Sequence, residues 1–415
     1  MRAPLQQIPH NRHRHDLKYF LPSGSRCAIN SGFRFKVASD FPRKANMTIH
    51  IKSFELYRLE VPSGRKFGDC TCWCDQLDII TVYLESNHGH RGWGFGQTIS
   101  KGHFTRPAPY IVPMPSLAEM RADFDKNVWP LLQHQNPFAV MMHRPPFFPK
   151  YTPTEQAIRT ALWDLMAQEM ELPLYQLLGA KPEQNRVLAY GSGLDFPLSE
   201  EQAIEVYRSF ARQGFRAIKV KVGHPDPQRD LRRLQVIRET VGENVEMAID
   251  ANEAWTCNEA IERIRFFRKE GVRLSYVEDP LYRDDLEGLV RLNATIDIDV
   301  VGHDYLVEPK DLRRLVERKA VNRLRVNGDI DFAIICADMA ADLGVPLIYG
   351  NSPFELGVHA AVAFPSFERI EYSELGWNDL PKQPLHFENG YAIAPSQPGM
   401  GFEPNPEKLK EFSRP

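Results

Sequence analysis

The chain has 415 residues, 43% of them hydrophobic and 25% charged, with a formal net charge of −3. That length supports two structural parts around one or two cores, and the balanced charge excludes the basic excess expected of a nucleic-acid or anionic-membrane binder. No apolar run is long enough to span a bilayer, and six cysteines in so long a chain fit a reducing, cytoplasmic setting better than a disulfide framework.

Residues 1–46 carry His10, His13 and His15 among Arg, Pro and Ser without a hydrophobic period, and they read as a poorly ordered extension. They also lack the successive charged, apolar and small-residue regions of a signal peptide. A capping domain is expected over 47–180. It opens with strand-like runs around Ile49 to Leu56 and Ile79 to Leu84. Between them, Pro62 to Gln76 is rich in Gly and Cys and reads as a long loop, which inside a compact domain commonly covers a site. Its Cys70-Thr71-Cys72-Trp73-Cys74 has no second cluster, so buried or loop thiols are favoured over zinc. From about Ser116 the pattern turns helical. Thr152-Pro153-Thr154-Glu155 has the form of a capping box with proline at the first helical position, ahead of Ile158, Ala161, Leu162 and Leu165 on one face. That helix should end at Leu172-Pro173, with a boundary in the linker near Lys181 to Gln184.

Residues 185–380 then alternate strand and helix. Strands are expected at 187–192, 217–223, 245–252, 274–280, 300–304, 322–327, 346–352 and 369–374, and the helices between them carry their own punctuation, such as the Ser199-x-x-Gln202 capping box and Gly214 past a helix end. Eight parallel strands joined by seven or so crossover helices predict an α/β fold of the (β/α)7β TIM-type barrel class. A doubly wound sheet would not place polar residues at the C-terminal end of strand after strand. The Pro-rich segment 381–415, with a short closing helix, is expected to return to the capping domain.

The strand Ala217-Ile218-Lys219-Val220-Lys221-Val222-Gly223 organises the rest. Its period of two turns Ile218, Val220 and Val222 to one face and both lysines to the other. Lysine is rarely buried without a partner, so two inward lysines predict a base and a cation beside developing negative charge; a solvated edge strand is the alternative. Reacting groups in such a barrel stand at the C-terminal strand ends. The ends that follow supply Asp250 and Asn252, then Glu278 and Asp279, then His303 and Asp304. Taken singly these could be a helix cap, a turn and a surface pair. Together, Asp250, Glu278 and Asp304 come from neighbouring strands and would repel one another unless a divalent cation held them, and an all-oxygen donor set suits Mg²⁺.

Lys219-Val220-Lys221, Asp250-Ala251-Asn252-Glu253-Ala254-Trp255, Val277-Glu278-Asp279-Pro280-Leu281 and the helix from Ala157 to Gly179 resemble the enolase superfamily in its mandelate racemase subgroup, over roughly residues 47–410. The resemblance implies an α+β capping domain, built from the N-terminal part and the C-terminal tail, on the barrel. It also implies Mg²⁺ gripping the carboxylate of a small-molecule substrate, abstraction of the adjacent proton to an enediolate, and a homo-oligomer. Such a proton is too weakly acidic for a side-chain base unless the developing dianion is stabilised, which a metal and a lysine can do. Lys221, nearer the mouth, is then the candidate base, its pKa expected to be lowered by its cationic neighbour and the metal, while Lys219 supports the oxyanion.

This chain departs from those relatives on the far wall. Many carry a His on the seventh strand paired with an Asp on the sixth; here Asn351 stands in the histidine's place, and the sixth strand turns Arg323, Arg325 and Asn327 inward. The relatives' third ligand is usually a Glu after Gly, whereas Gly302 is followed by His303 and Asp304; hard-cation preference favours Asp304, with His303 as an alternative ligand or a replacement acid. Glu371, at the eighth strand tip, corresponds to a carboxylic acid near the substrate carboxylate, or is an ordinary salt-bridged glutamate. A dehydratase converting an aldonate or aldarate to a 2-keto-3-deoxy acid is therefore expected ahead of a racemase or epimerase, which needs acid and base on opposite faces. A barrel that binds an acid without turnover is the third alternative.

Overall fold

The computed structural model describes residues 48–106, 111–143, 152–352 and 356–415, so the extension expected at 1–46 lies outside the described residues. The first layer is an antiparallel sheet of β1 (Ile51–Gly68), β2 (Cys72–Ser86), β3 (Arg91–Thr98) and β4 (His103–Phe104), with β2 paired to each of the others. The long loop expected over Pro62 to Gln76 is instead the far end of the β1–β2 hairpin. Pairing runs to Pro62↔Gln76, shifts register, and resumes at Phe67↔Cys74 and Gly68↔Trp73. The Pro and Gly in that stretch absorb an irregularity in the ladder and do not end it.

Period-two alternation gives this sheet two buried faces. Ile80, Val82 and Leu84 pack with Phe124, Ile158, Leu162 and Leu165 of the overlying helices, while Leu59, Val61, Leu77 and Ile79 belong to the core that continues around the barrel. The helices are α1 (Leu117–Asn127), α2 (Trp129–Leu132), α3 (Pro137–His143), α4 (Thr152–Glu169) and α5 (Leu174–Leu177). Helix α4 lies directly on β3 because Gly92, Gly94 and Gly96 alternate along one face of that strand: a Cβ on Gly94 would sit 1.8 Å from the Ala157 carbonyl oxygen, and one on Gly92 2.3 Å from that of Ala161.

The barrel follows: β5 (Arg186–Ser192), α6 (Glu200–Arg212), β6 (Ala217–Lys221), α7 (Pro227–Val241), β7 (Glu246–Asp250), α8 (Cys257–Lys269), β8 (Tyr276–Glu278), α9 (Leu286–Thr295), β9 (Asp299–Gly302), α10 (Pro309–Glu317), β10 (Arg323–Val326), α11 (Ile330–Leu343), β11 (Leu347–Tyr349), α12 (Val358–Ala363) and β12 (Phe367–Tyr372). The eight strands are parallel and β12 pairs back with β5, closing the ring. Ser199 forms its capping box with Gln202 at the start of α6, and Gly214, at φ +80°, follows that helix in the left-handed conformation. Ile218, Val220 and Ile249 face the helix layer. Tyr190, Ala217, Ala248, Tyr276, Val301 and Ile348 form a separate apolar cluster within the ring, a floor on which the polar strand ends stand.

The chain then returns. The hairpin β13 (His386–Glu388) and β14 (Tyr391–Ile393) adds antiparallel to β5, α13 (Pro406–Phe412) follows, and the Arg414 amide donates to the Arg58 carbonyl at 2.8 Å in the first strand of the cap. Among the described residues no helix is long and apolar enough to cross a membrane.

Candidate active site

Strand register sets the site. Lys221 lies beside Asp250, and Asp250 beside Glu278, so the ends of β6, β7 and β8 present a lysine and two carboxylates in a row. Lys219 stands one inward position deeper, beside Ala248, and is fully buried, while Lys221 is 5% exposed. The solvated-edge alternative is thereby removed: both amines are inside the barrel and each is paired. Lys219 Nζ lies 2.5 Å from Glu278 Oε1 and 3.2 Å from both Asp250 Oδ2 and Glu371 Oε1. Lys221 Nζ donates to Asp250 Oδ2 at 2.6 Å and to Asn252 Oδ1 at 2.9 Å.

These contacts bear on the neighbour half of the expectation for Lys221. Burial and the neighbouring Lys219 do work against the charge on Lys221, but Asp250 and more distant carboxylates outweigh them and hold its pKa above the ordinary lysine value. Lys219 is raised likewise, since Glu278, Glu371 and Asp250 outweigh burial and Arg325. The acids thus hold both lysines in the protonated form.

The third candidate ligand is placed differently from the first two. Asp304 sits past the end of β9 and is partly exposed; its Oδ1 lies 3.3 Å from Arg325 Nε. Arg325 enters from β10, reaches Glu278 Oε1 with Nη1 at 2.9 Å, and bonds Glu371 with the same nitrogen. A guanidinium thus stands against both Glu278 and Asp304. Among the described residues no group of three or more His, Cys, Asp or Glu is already arranged to hold a metal ion, so Asp250, Glu278 and Asp304 converge on one end of the barrel without yet surrounding one point.

The cluster nevertheless fits a divalent cation chemically. Asp250, Glu278, Asp304 and Glu371 share the three cations Lys219, Lys221 and Arg325, so acidic groups outnumber basic ones at the strand ends. Glu278 Oε2 and Asp279 Oδ1 are buried without a hydrogen-bond partner. Burial drives the Glu278 carboxyl up in spite of Arg325 and Lys219, and burial with Glu278 and Asp250 nearby drives Asp279 well above the carboxylate range. Unpartnered oxygen donors and excess negative charge are what a hard cation relieves.

The remaining candidates divide between the mouth and its supports. Asn252, at φ +44°, accepts from Lys221 and donates to the Tyr305 hydroxyl at 3.3 Å. Asp279, at φ +43°, accepts from the Asp304 amide at 3.1 Å and so fixes the following strand end. Non-glycine residues in this region carry strain, which gathers at sites the surroundings over-determine. His303 is buried beside Asp279 and Glu253, with Nε2 3.4 Å from the Leu281 carbonyl, and burial lowers its pKa. It makes no ion pair with Asp250 or Glu278 and lies on the Asp279 and Glu253 side of the strand ends. Glu371 is ion-paired with both Lys219 and Arg325, which outweigh its burial and hold it below the ordinary carboxylate range. Asn327 keeps a buried Oδ1 without a partner, and Asn351 accepts from Ser373 at 3.2 Å. Arg323 belongs to a different group, pairing with Asp299 and Glu368.

Sequence reasoning missed two supports. Asp195, just past β5, accepts from the Lys221 amide at 3.1 Å and from the Tyr207 hydroxyl at 2.8 Å, and pairs with buried Arg233 at 3.1 Å. It carries the same signal as the acids that were found, an acidic residue following a strand end. The hairpin tip was expected only as a loop over a site; its Gly68 amide donates to the Leu194 carbonyl at 2.8 Å and the Cys70 thiol to the Ala251 carbonyl at 3.4 Å, beside the Lys221 strand end.

Comparison with known proteins gives the same frame. The family described as Enolase C-terminal domain-like matches residues 201–408. An arabinonate dehydratase from Saccharolobus solfataricus is 32% identical over 261 residues, covering 59% of this chain and 68% of the relative. A crystal structure from Mesorhizobium loti, described as a candidate mandelate racemase, is 36% identical with a TM-score of 0.80, covering 88% of this chain and 95% of the other. An L-talarate dehydratase from Polaromonas sp. JS666, complexed with Mg and L-glucarate, shares the fold at 23% identity and TM-score 0.73, covering 88% and 98% of the two chains.

Proposed function

We propose, from the premise that this chain belongs to the enolase superfamily as a mandelate racemase/muconate lactonizing enzyme-like protein, that it dehydrates a sugar acid with Mg²⁺ as cofactor. The observation that carries this reading is one-sided placement: Lys219 and Lys221 share the inner face of β6 among the acids, while β10, β11 and β12 contain no Lys or His at all. A dehydration can run from one face of the substrate; a two-base racemisation cannot.

Asp250, Glu278 and Asp304 would hold the ion once Arg325 gives way, and the L-talarate dehydratase that shares the fold was crystallised with magnesium. Bound there, magnesium supplies positive charge for the substrate carboxylate and offsets the acids that now keep Lys221 protonated. Lys221 takes the proton from the carbon next to the carboxylate. Lys219, kept charged by Glu371, faces the oxygen on which negative charge grows. Lys221 then returns its proton to the departing β-hydroxyl, the C–O bond breaks, water leaves, and the enol becomes a 2-keto-3-deoxy acid. Asn252 orients the Lys221 amine through the 2.9 Å hydrogen bond. The arabinonate dehydratase relative supports an aldonate and the L-glucarate complex an aldarate.

The test is incubation with Mg²⁺ and a panel of aldonates and aldarates, read for keto acid by NMR. Keto acid from one or more of them is expected. Inversion at C2 without loss of water would establish the racemase alternative, consistent with the description of the M. loti structure. Binding without either reaction would make this a non-catalytic acid-binding barrel.

A further inference from the structure

Arg325 does more than line the barrel. Its side chain, 5% exposed, reaches Glu278 Oε1 at 2.9 Å and Asp304 Oδ1 at 3.3 Å, and Asp304 ion-pairs with no other cation among the described residues. On the other side it bonds Glu371 and comes within 3.4 Å of the Tyr190 hydroxyl. Its room is provided by Gly350, where a Cβ would lie 2.8 Å from Arg325 Nη2 and 1.6 Å from Asn327 Oδ1. The three candidate ligands are therefore held differently: Asp250 by two lysines, Glu278 by Lys219 and Arg325 together, and Asp304 by Arg325.

We infer that Arg325 is the resident counter-cation of this site, bridging Glu278 and Asp304 in the metal-free protein and competing with the divalent ion for those two carboxylates. The inference rests on the magnesium reading above. Glu278 is buried and crowded by Asp250 and Glu371, so a second cation beside Lys219 stabilises its charged form, and Arg325 supplies that cation while also reaching Asp304. Guanidinium and metal ion cannot both contact the same carboxylate oxygens without mutual repulsion. Glu371 and Tyr190 offer the guanidinium an anchor that metal binding leaves intact, so it yields two partners and keeps two.

The experiment uses the full chain, stripped with EDTA, as wild type, Arg325→Gln and Arg325→Lys. Mg²⁺ binding is followed by calorimetric titration, and thermal unfolding is recorded with and without Mg²⁺. The Gln variant should unfold at a lower temperature than wild type when metal-free, yet bind Mg²⁺ about tenfold more tightly, so that saturating Mg²⁺ raises its Tm by more than it raises that of wild type. The Lys variant keeps the charge but cannot bridge both acids, and its Kd should fall between the two. If the Gln variant does not fold without metal, the Lys variant carries the comparison alone. Equal or weaker Mg²⁺ binding by the variants than by wild type overturns the inference and makes Arg325 an organiser of the ligands. Absence of Mg²⁺ binding in wild type and variants alike removes the metal reading itself, and the inference with it.

Discussion

The inward lysines were legible from the period of two in β6, and the acids from their recurrence at successive strand ends. What could not be read was who pairs with whom. Lys221 was expected with a lowered pKa from its cationic neighbour and the metal; of these the neighbour Lys219 is outweighed by Asp250, next to Lys221 across the ladder at 2.6 Å. Arg325 was legible as inward and not as the group between two acids, because side-chain reach from the opposite wall leaves no trace in spacing. Asp195 was missed although it is fully buried and ties β6 to Arg233. Replacing it with Ala would leave the Arg233 guanidinium buried without its carboxylate and should cost about 3–5 kcal/mol in denaturant unfolding. A loss below about 1 kcal/mol would show that solvent or a neighbour can satisfy Arg233.

At the scale of elements, strand and helix alternation through the barrel was readable because each strand is short, β-branched and followed by a capped amphipathic helix. The cap was harder. Pro62 and the Gly-rich stretch after it carry turn chemistry, yet Phe67↔Cys74 restores the ladder beyond the register shift, a long-range pairing that no local rule reveals. The glycines of β3 likewise look like breakers, whereas they let the backbone of α4 approach the strand. Gly94→Ala would drive a methyl to 1.8 Å from the Ala157 carbonyl oxygen, and the helix must lift or the strand must bend. A loss of about 3 kcal/mol is expected, seen as a lower midpoint in thermal unfolding. An unchanged midpoint would mean that α4 is free to shift on the sheet.

At the scale of the whole molecule, cap, barrel and C-terminal segment are fastened at Met400. Its amide donates to Asp164 Oδ1 of α4 at 2.7 Å, and its carbonyl lies 2.9 Å from His359 Nε2 of α12. Both side chains are buried. Burial lifts the Asp164 carboxyl to about 7, against the amides that favour its ionised form, and lowers His359 to about 4. Because the folded value of Asp164 exceeds its unfolded value of 3.8, its contribution to stability is intact below that value and declines as pH rises toward about 7. His359 has the opposite slope, its contribution declining as pH falls from 6.5 toward about 4. In Asp164→Asn, stability relative to wild type should therefore improve steadily as pH rises from about 4 to about 7, whatever the offset caused by the altered hydrogen bonds. A difference between the two proteins that does not vary with pH would show that Asp164 titrates normally in the fold.

Proton abstraction by Lys221 is the step on which the functional reading depends, and deuterium wash-in observes it without waiting for product. Wild type and Lys221→Ala, each confirmed folded by circular dichroism, are incubated with Mg²⁺ and the sugar-acid panel in D₂O, and the carbon next to the carboxylate is followed by NMR. Exchange or turnover of at least one acid by wild type, falling by about 10²-fold or more in Lys221→Ala, is the predicted result. Exchange that persists in Lys221→Ala at the wild-type rate would contradict it and assign the proton to another base.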